Sequence, residues 1–254
     1  MDLSFNIKDI SISIPILIGL ISFLIYWFTY QSDQLQSFFK KKYGQEKGQA
    51  NFILFKRFIG GFCMGVLPAI SYYLFIPHAQ IRDMGLILKT DMTHPFIFWL
   101  FLLILLIFPL VYFNVKKTKN LLVYPQIRNT EWNSQLLFYN FFSWAWYLLG
   151  YEILFRGILL FPLNQYIGIW PAIAVNIALY SATHLPKGYK ETLGAIPFSI
   201  ILCILCLYTG SFWIAFFAHL TMAWTNAWFS LKHNPDMRII KIKANESFRI
   251  WGHR

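Results

Sequence analysis

A glutamate, an arginine and two histidines sit inside stretches that are otherwise apolar: Glu152, Arg156, His184 and His219. A carboxylate and two imidazoles are the groups that hydrolytic enzymes use to move protons and steady a developing charge. The same three groups are zinc-ligand types. There is no H-E-x-x-H, however, and the C-x-x-C of Cys203 and Cys206 lies in an apolar run without a second pair. Spacing therefore supports neither zinc nor any other cofactor. Each residue also has a structural reading. Glu152 and Arg156 are spaced i, i+4, where they can neutralise each other on one helix face. His184, His219, Asn176 and Asn226 can serve as interhelical hydrogen-bonding groups. A chain of Glu152, His184 and His219 relaying protons is a third use of the same set.

The elements that must carry these residues are membrane helices. Of 254 residues, 57% are hydrophobic, 20% aromatic and only 13% charged, against about 25% charged in soluble domains. Seven apolar segments run over residues 13–30, 58–76, 95–114, 135–161, 171–185, 192–209 and 211–231. They are apolar on all sides, which excludes the alternating pattern of a barrel strand. The expected fold is all-α: a polytopic bundle of about seven or eight transmembrane helices in a single membrane domain, residues 1–254. The net charge of +11 reflects membrane sidedness and calls for no nucleic acid. With the N-terminus outside, three of the 22 Lys and Arg (Lys8, Arg82, Lys89) face out, eighteen face in, and Arg156 is buried in the membrane. That bias puts the basic tail, residues 232–254, in the cytoplasm. A bacterial inner membrane suits the length and short loops. In this topology Glu152, His184 and His219 reach depths of about 12–20 Å at 1.5 Å per residue, close enough in level to share one cavity.

Three short patterns recur in order over residues 134–230: Y-E-I-L-F-R at 151–156, Y-S-A-T-H at 180–184 and H-L-T-M-A at 219–223. H-L-P-K-G-Y-K-E runs on from the second, and T-G-S-F-W at 209–213 precedes the third. Together they resemble the CPBP family of CAAX-type prenyl endopeptidases and bacteriocin-processing or immunity proteins. The family's motifs are E-E-x-x-x-R, an aromatic residue followed by x-x-x-His, and H-x-x-x-N or H-x-x-x-D. The resemblance implies an intramembrane-protease fold in which the first glutamate and the histidine matching His184 activate water. The histidine matching His219 and the terminal Asn stabilise the oxyanion.

This chain departs at two of those places. Tyr151 replaces the first glutamate and Ala223 replaces the Asn or Asp, while Glu152, Arg156 and the aromatic Tyr180 are kept. A phenol with a reference pKa near 10 is a poor base at neutral pH, and alanine offers no donor. The expectation is a non-catalytic relative that binds a membrane protein or peptide within the bilayer. The alternative is an active endopeptidase using Glu152, His184 and His219. Tyr151, Arg156, Tyr180, Ala223 and Asn226 then line the cavity or support it, with Asn226, one turn past Ala223, as a substitute donor.

Overall fold

The computed structural model describes residues 6–88, 93–185 and 188–240, apart from the side chains of 118–120. Lys89, Lys187 and the tail beyond residue 240 lie outside the described residues. All seven apolar segments are helical. In order the helices are α1 (Ile7–Tyr30), α2 (Asp33–Tyr43), α3 (Gln45–Gly61), α4 (Leu67–Phe75), α5 (Thr93–Val115), α6 (Thr118–Val123), α7 (Ser134–Glu152), α8 (Phe161–Ile167), α9 (Ile169–Ala182), α10 (Tyr189–Thr209) and α11 (Trp213–His233). Two π-helical turns, Phe62–Val66 and Ile153–Leu160, join α3 to α4 and α7 to α8, making continuous rods over 45–75 and 134–167.

Local chemistry explains the ends. The Asn6 side chain accepts from Asp9 N–H while the Asp9 carboxylate accepts from Asn6 N–H, a reciprocal cap on α1. Asn133 Oδ1 accepts from Leu136 N–H at 2.7 Å and starts α7. The second apolar segment begins thirteen residues earlier as a helix than as a hydrophobic run, at Gln45 rather than residue 58. Backbone bonding continues through Glu46, Lys47, Lys56 and Arg57, which hydropathy alone ends on. The fourth runs on to Ile167, past the expected stop at 161, because its π turn lets the rod continue.

Burial sorts the rods. α5 is apolar all round yet buries only Leu103, Ile107, Val111 and Val115, one i, i+4 stripe, as a helix facing lipid on its other sides does. The rod 134–167 is the centre, with 72% of its apolar window buried. Among the described residues five rods are long and apolar enough to cross a bilayer: α1, 45–75, α5, 134–167 and α10. The fifth and seventh expected spans differ. α9 has 14 residues, about 21 Å at 1.5 Å per residue. α11 has 21 residues and carries His219, Thr221, Thr225, Asn226 and Ser230, so its place rests on packing against α5, α7 and α10.

Small residues let the centre close up. Gly61 and Gly65, four apart, face Gly150 on α7; a Cβ on Gly65 would stand 2.7 Å from the Gly150 Cα. That is a small-xxx-small crossing, and it fixes the backbone one residue before Tyr151. No strand was expected, yet β1 (Glu131–Trp132) and β2 (Arg238–Ile239) form a two-residue parallel pair. It ties the connector before α7 to the chain leaving α11. Glu46 accepts from Thr130 N–H, and Gln49 donates to Gln126 O. The basic stretches around Lys40–Lys47, Lys116–Arg128 and Lys232–Arg238 therefore gather at one end of the bundle.

Candidate active site

Glu152 is the last residue of α7 before the π turn, and it is fully buried, as is Arg156. The Glu152 carboxylate is held from both sides. Arg156 Nη1 stands 3.1 Å from Oε2, and His219 Nδ1 lies 2.8 Å from Oε1. A carboxylate oxygen accepts, so His219 carries its proton on Nδ1 when neutral. Arg156 continues outward, donating from Nη2 to Ser199 Oγ on α10 at 3.3 Å and lying 4.7 Å over the Tyr180 ring. The i, i+4 pair is real, but it is one arm of a network that crosses α7, α10 and α11.

The π turn is built into this geometry. Phe161 N–H donates five residues back to Arg156 O. Asn176 of α9 donates its side-chain amide to Phe155 O, and its Oδ1 accepts from Cys203 Sγ at 3.4 Å. Such turns replace the i, i+4 ladder locally and often occur at functional sites. Cys203 and Cys206 are free and buried, as is Cys63.

Tyr151 points elsewhere than Glu152. Its hydroxyl lies 2.8 Å from Thr183 Oγ1. Thr183 in turn donates to Tyr180 O at 2.7 Å, so the single hydroxyl hydrogen of Thr183 is committed and Tyr151 is the donor. The Tyr151 ring meets the His219 ring edge-on, with centroids 5.5 Å apart. His184 sits in the turn just after α9. Its Nδ1 is 3.1 Å from both Tyr180 O and Thr183 Oγ1. The carbonyl can only accept, which places the proton on Nδ1 and leaves Nε2 as the basic nitrogen.

These residues border a cavity of about 300 Å³. Tyr151, Tyr180, Thr183, His184, His219, Ala223 and Asn226 line it, and it extends past Asn114 to Tyr124 and Glu191. Glu152 and Arg156 stand behind that lining, Glu152 against His219 and Arg156 against Tyr180. Asn226 shares the wall with Ala223, one helical turn further along α11. The structure thus brings every residue singled out by sequence into one region, in two layers. Thr183, Ser199 and Asn176 complete the layers. Thr183 could have been suspected from its place inside Y-S-A-T-H; Ser199 carries no signal of its own. Among the described residues no three His, Cys, Asp or Glu side chains group closely enough to hold a metal ion.

A search of family models returns one whose description is "Type II CAAX prenyl endopeptidase Rce1-like", matched over residues 132–225. No individual curated protein and no solved structure matches the chain. The matched stretch begins at β1 and ends in α11 after Ala223, so it contains all three motifs, with Glu152, Arg156, His184 and His219, and stops one residue short of Asn226. The resemblance read from the motifs holds for that stretch: residues 132–225 are similar to the Rce1-like, CPBP-family endopeptidases, and the long apolar helices make the chain an integral membrane protein.

Proposed function

We propose that this protein keeps the protease architecture without the hydrolytic step and uses the cavity to bind a membrane protein or peptide segment. The observation that carries the reading is the Tyr151 hydroxyl bonded to Thr183 at the cavity wall, where the family motif has a carboxylate. Tyr151 offers a protonated phenol, and Ala223 offers no donor at the motif's own position on the facing wall of α11. Glu152, the motif carboxylate that is kept, is ion-paired with Arg156 and hydrogen-bonded to His219 behind the lining, so water in the cavity meets no carboxylate on the α7 wall. No cofactor enters the proposal. The cavity lining mixes aromatic rings with a few polar tips, a surface suited to an extended apolar peptide end.

The test is direct. Purified protein in liposomes is given farnesylated and unlipidated peptides bearing a C-terminal CAAX-type sequence. The expected result is saturable retention of a peptide with no cleavage product. Cleavage that disappears in His219→Ala would reject the reading. It would favour the endopeptidase reading, for which the 2.8 Å contact between His219 and Glu152 is the supporting observation. Under that alternative Glu152→Gln abolishes turnover while the protein stays folded.

We further propose that the N-terminus faces the periplasm of a bacterial inner membrane and that the basic end faces the cytoplasm. The β1–β2 pair supports this by keeping Lys232–Arg238 beside Lys116–Arg128. The three native cysteines are buried, so a single Ile240→Cys substitution gives a clean reporter. It should resist impermeant thiol reagents in intact cells and react after lysis. Labelling in intact cells reverses the assignment.

A further inference from the structure

Beside the motif residues, a second opening lies between α1, α3 and α7. Tyr26, Tyr30, Lys56, Arg57 and Gln126 line most of it, and Trp144, Tyr147, Tyr151 and Thr183 form the wall it shares with the larger cavity. Its charged groups are both cationic. Arg57 is 4% exposed, and its hydrogen bonds go to neutral acceptors. Nη1 donates to Asn140 Oδ1 at 2.9 Å, Asn140 O at 3.2 Å and Ser143 Oγ at 3.1 Å; Nη2 donates to Gln126 Oε1 at 3.1 Å. Its guanidinium lies 4.0 Å over Trp144, while the buried Nε has no partner. Lys56 Nζ sits 3.8 Å over the Tyr30 ring and 4.7 Å over Phe52. Among the described residues neither cation has a carboxylate at ion-pair distance. Asp33 shares the outer mouth with Lys56, Ser32, Gln36 and Gln49, but forms no ion pair with Lys56.

The contrast with Arg156 is the argument. There, a buried guanidinium is matched by Glu152 at 3.1 Å. Here, two adjacent cations in an aromatic cleft have no matching anion, and a buried charge without a counter-charge is costly. An anion from outside the chain would supply it, accepting charge-assisted hydrogen bonds. The cleft holds about 60 Å³, room for a group of a few water volumes, which suits a headgroup phosphate and not a peptide. Its aromatic side, Phe23 and Trp27 of α1, continues into the exposed Leu20, Leu24 and Phe28. A polar mouth, a cationic floor and an apolar runway are the three parts of an anionic lipid site.

We propose that the Lys56–Arg57 cleft binds the phosphate of an anionic phospholipid whose acyl chains lie along α1. The site is independent of whether the larger cavity cleaves anything. The test follows thermal unfolding of the full chain in dodecyl maltoside with dioleoylphosphatidylglycerol, dioleoylphosphatidylcholine or inorganic phosphate. Phosphatidylglycerol should raise Tm saturably, and the other two should not. Lys56→Gln and Arg57→Gln should each weaken the apparent affinity about tenfold, the loss of one charge-assisted contact. Lys41→Gln, on the exposed face of α2, should leave it unchanged. If Arg57→Gln does not fold, Lys56→Gln alone carries the test. Equal stabilisation by phosphatidylcholine, or an unaltered response in Lys56→Gln, overturns the site. A shift reproduced by inorganic phosphate overturns the lipid assignment in favour of a free anion.

Discussion

Restoring the two departed motif positions should turn a silent protein into a weak peptidase. Tyr151 and Ala223 line the same cavity as His184 and His219, so Tyr151→Glu places a carboxylate among imidazoles and Ala223→Asn returns a donor to the α11 wall. General base catalysis contributes about 10²–10⁴-fold and one oxyanion donor about 10²–10³-fold. The gains should be strongly non-additive, because a base without oxyanion stabilisation, or the reverse, accomplishes little. Each single variant should stay near background and the double variant should release product from a CAAX-type peptide. Tyr151→Glu also removes the bond to Thr183, so the control is Tyr151→Phe, which should fold and remain inactive. Equal product from the unmodified chain and the double variant would show that these positions do not carry the chemistry here. A double variant that folds, admits peptide and stays silent would show that more than these two positions suppress the reaction, and the binding role would stand.

Arg156→Ala should destabilise the protein by about 3–5 kcal/mol, the usual loss when one member of a buried charge pair is removed. Its guanidinium is the cationic partner of a fully buried carboxylate, and it also reaches Ser199 and Tyr180. Without it Glu152 keeps only His219. Lys117→Ala, at an exposed position, should change little. Detergent melting curves of the two variants make the comparison. Glu152→Gln combined with Arg156→Met should recover part of the loss, since removing both charges removes the unpaired one. Equal melting of Arg156→Ala and Lys117→Ala would mean that the pair is solvated.

Much of this was legible in the chain itself. Length and hydropathy of the seven segments determined an all-α membrane protein, since a bilayer core leaves backbone groups no partner but each other. The order and spacing of Y-E-I-L-F-R, Y-S-A-T-H and H-L-T-M-A located the site, and the i, i+4 interval paired Glu152 with Arg156. Helix ends were less legible. Charged residues such as Lys56 and Arg57 end a hydrophobic run without ending a helix, and π turns carry no pattern of their own.

What only the tertiary structure decided is which side chains share a wall and which stand behind it. Tyr151 and Glu152 are neighbours in sequence, yet on a helix they project about 100° apart, so one lines the cavity while the other binds Arg156 and His219 at its back. Sequence spacing gives that angle but not which face meets the cavity; the Gly61–Gly65–Gly150 crossing and the Asn176 bond to the π turn set it. The same holds for Arg57. In the sequence it is one more residue of a basic stretch, and only the packing of α1, α3 and α7 buries it beside Trp144 without a carboxylate among the described residues. Charge count is a property of the chain, whereas charge compensation depends on distances between segments far apart in it.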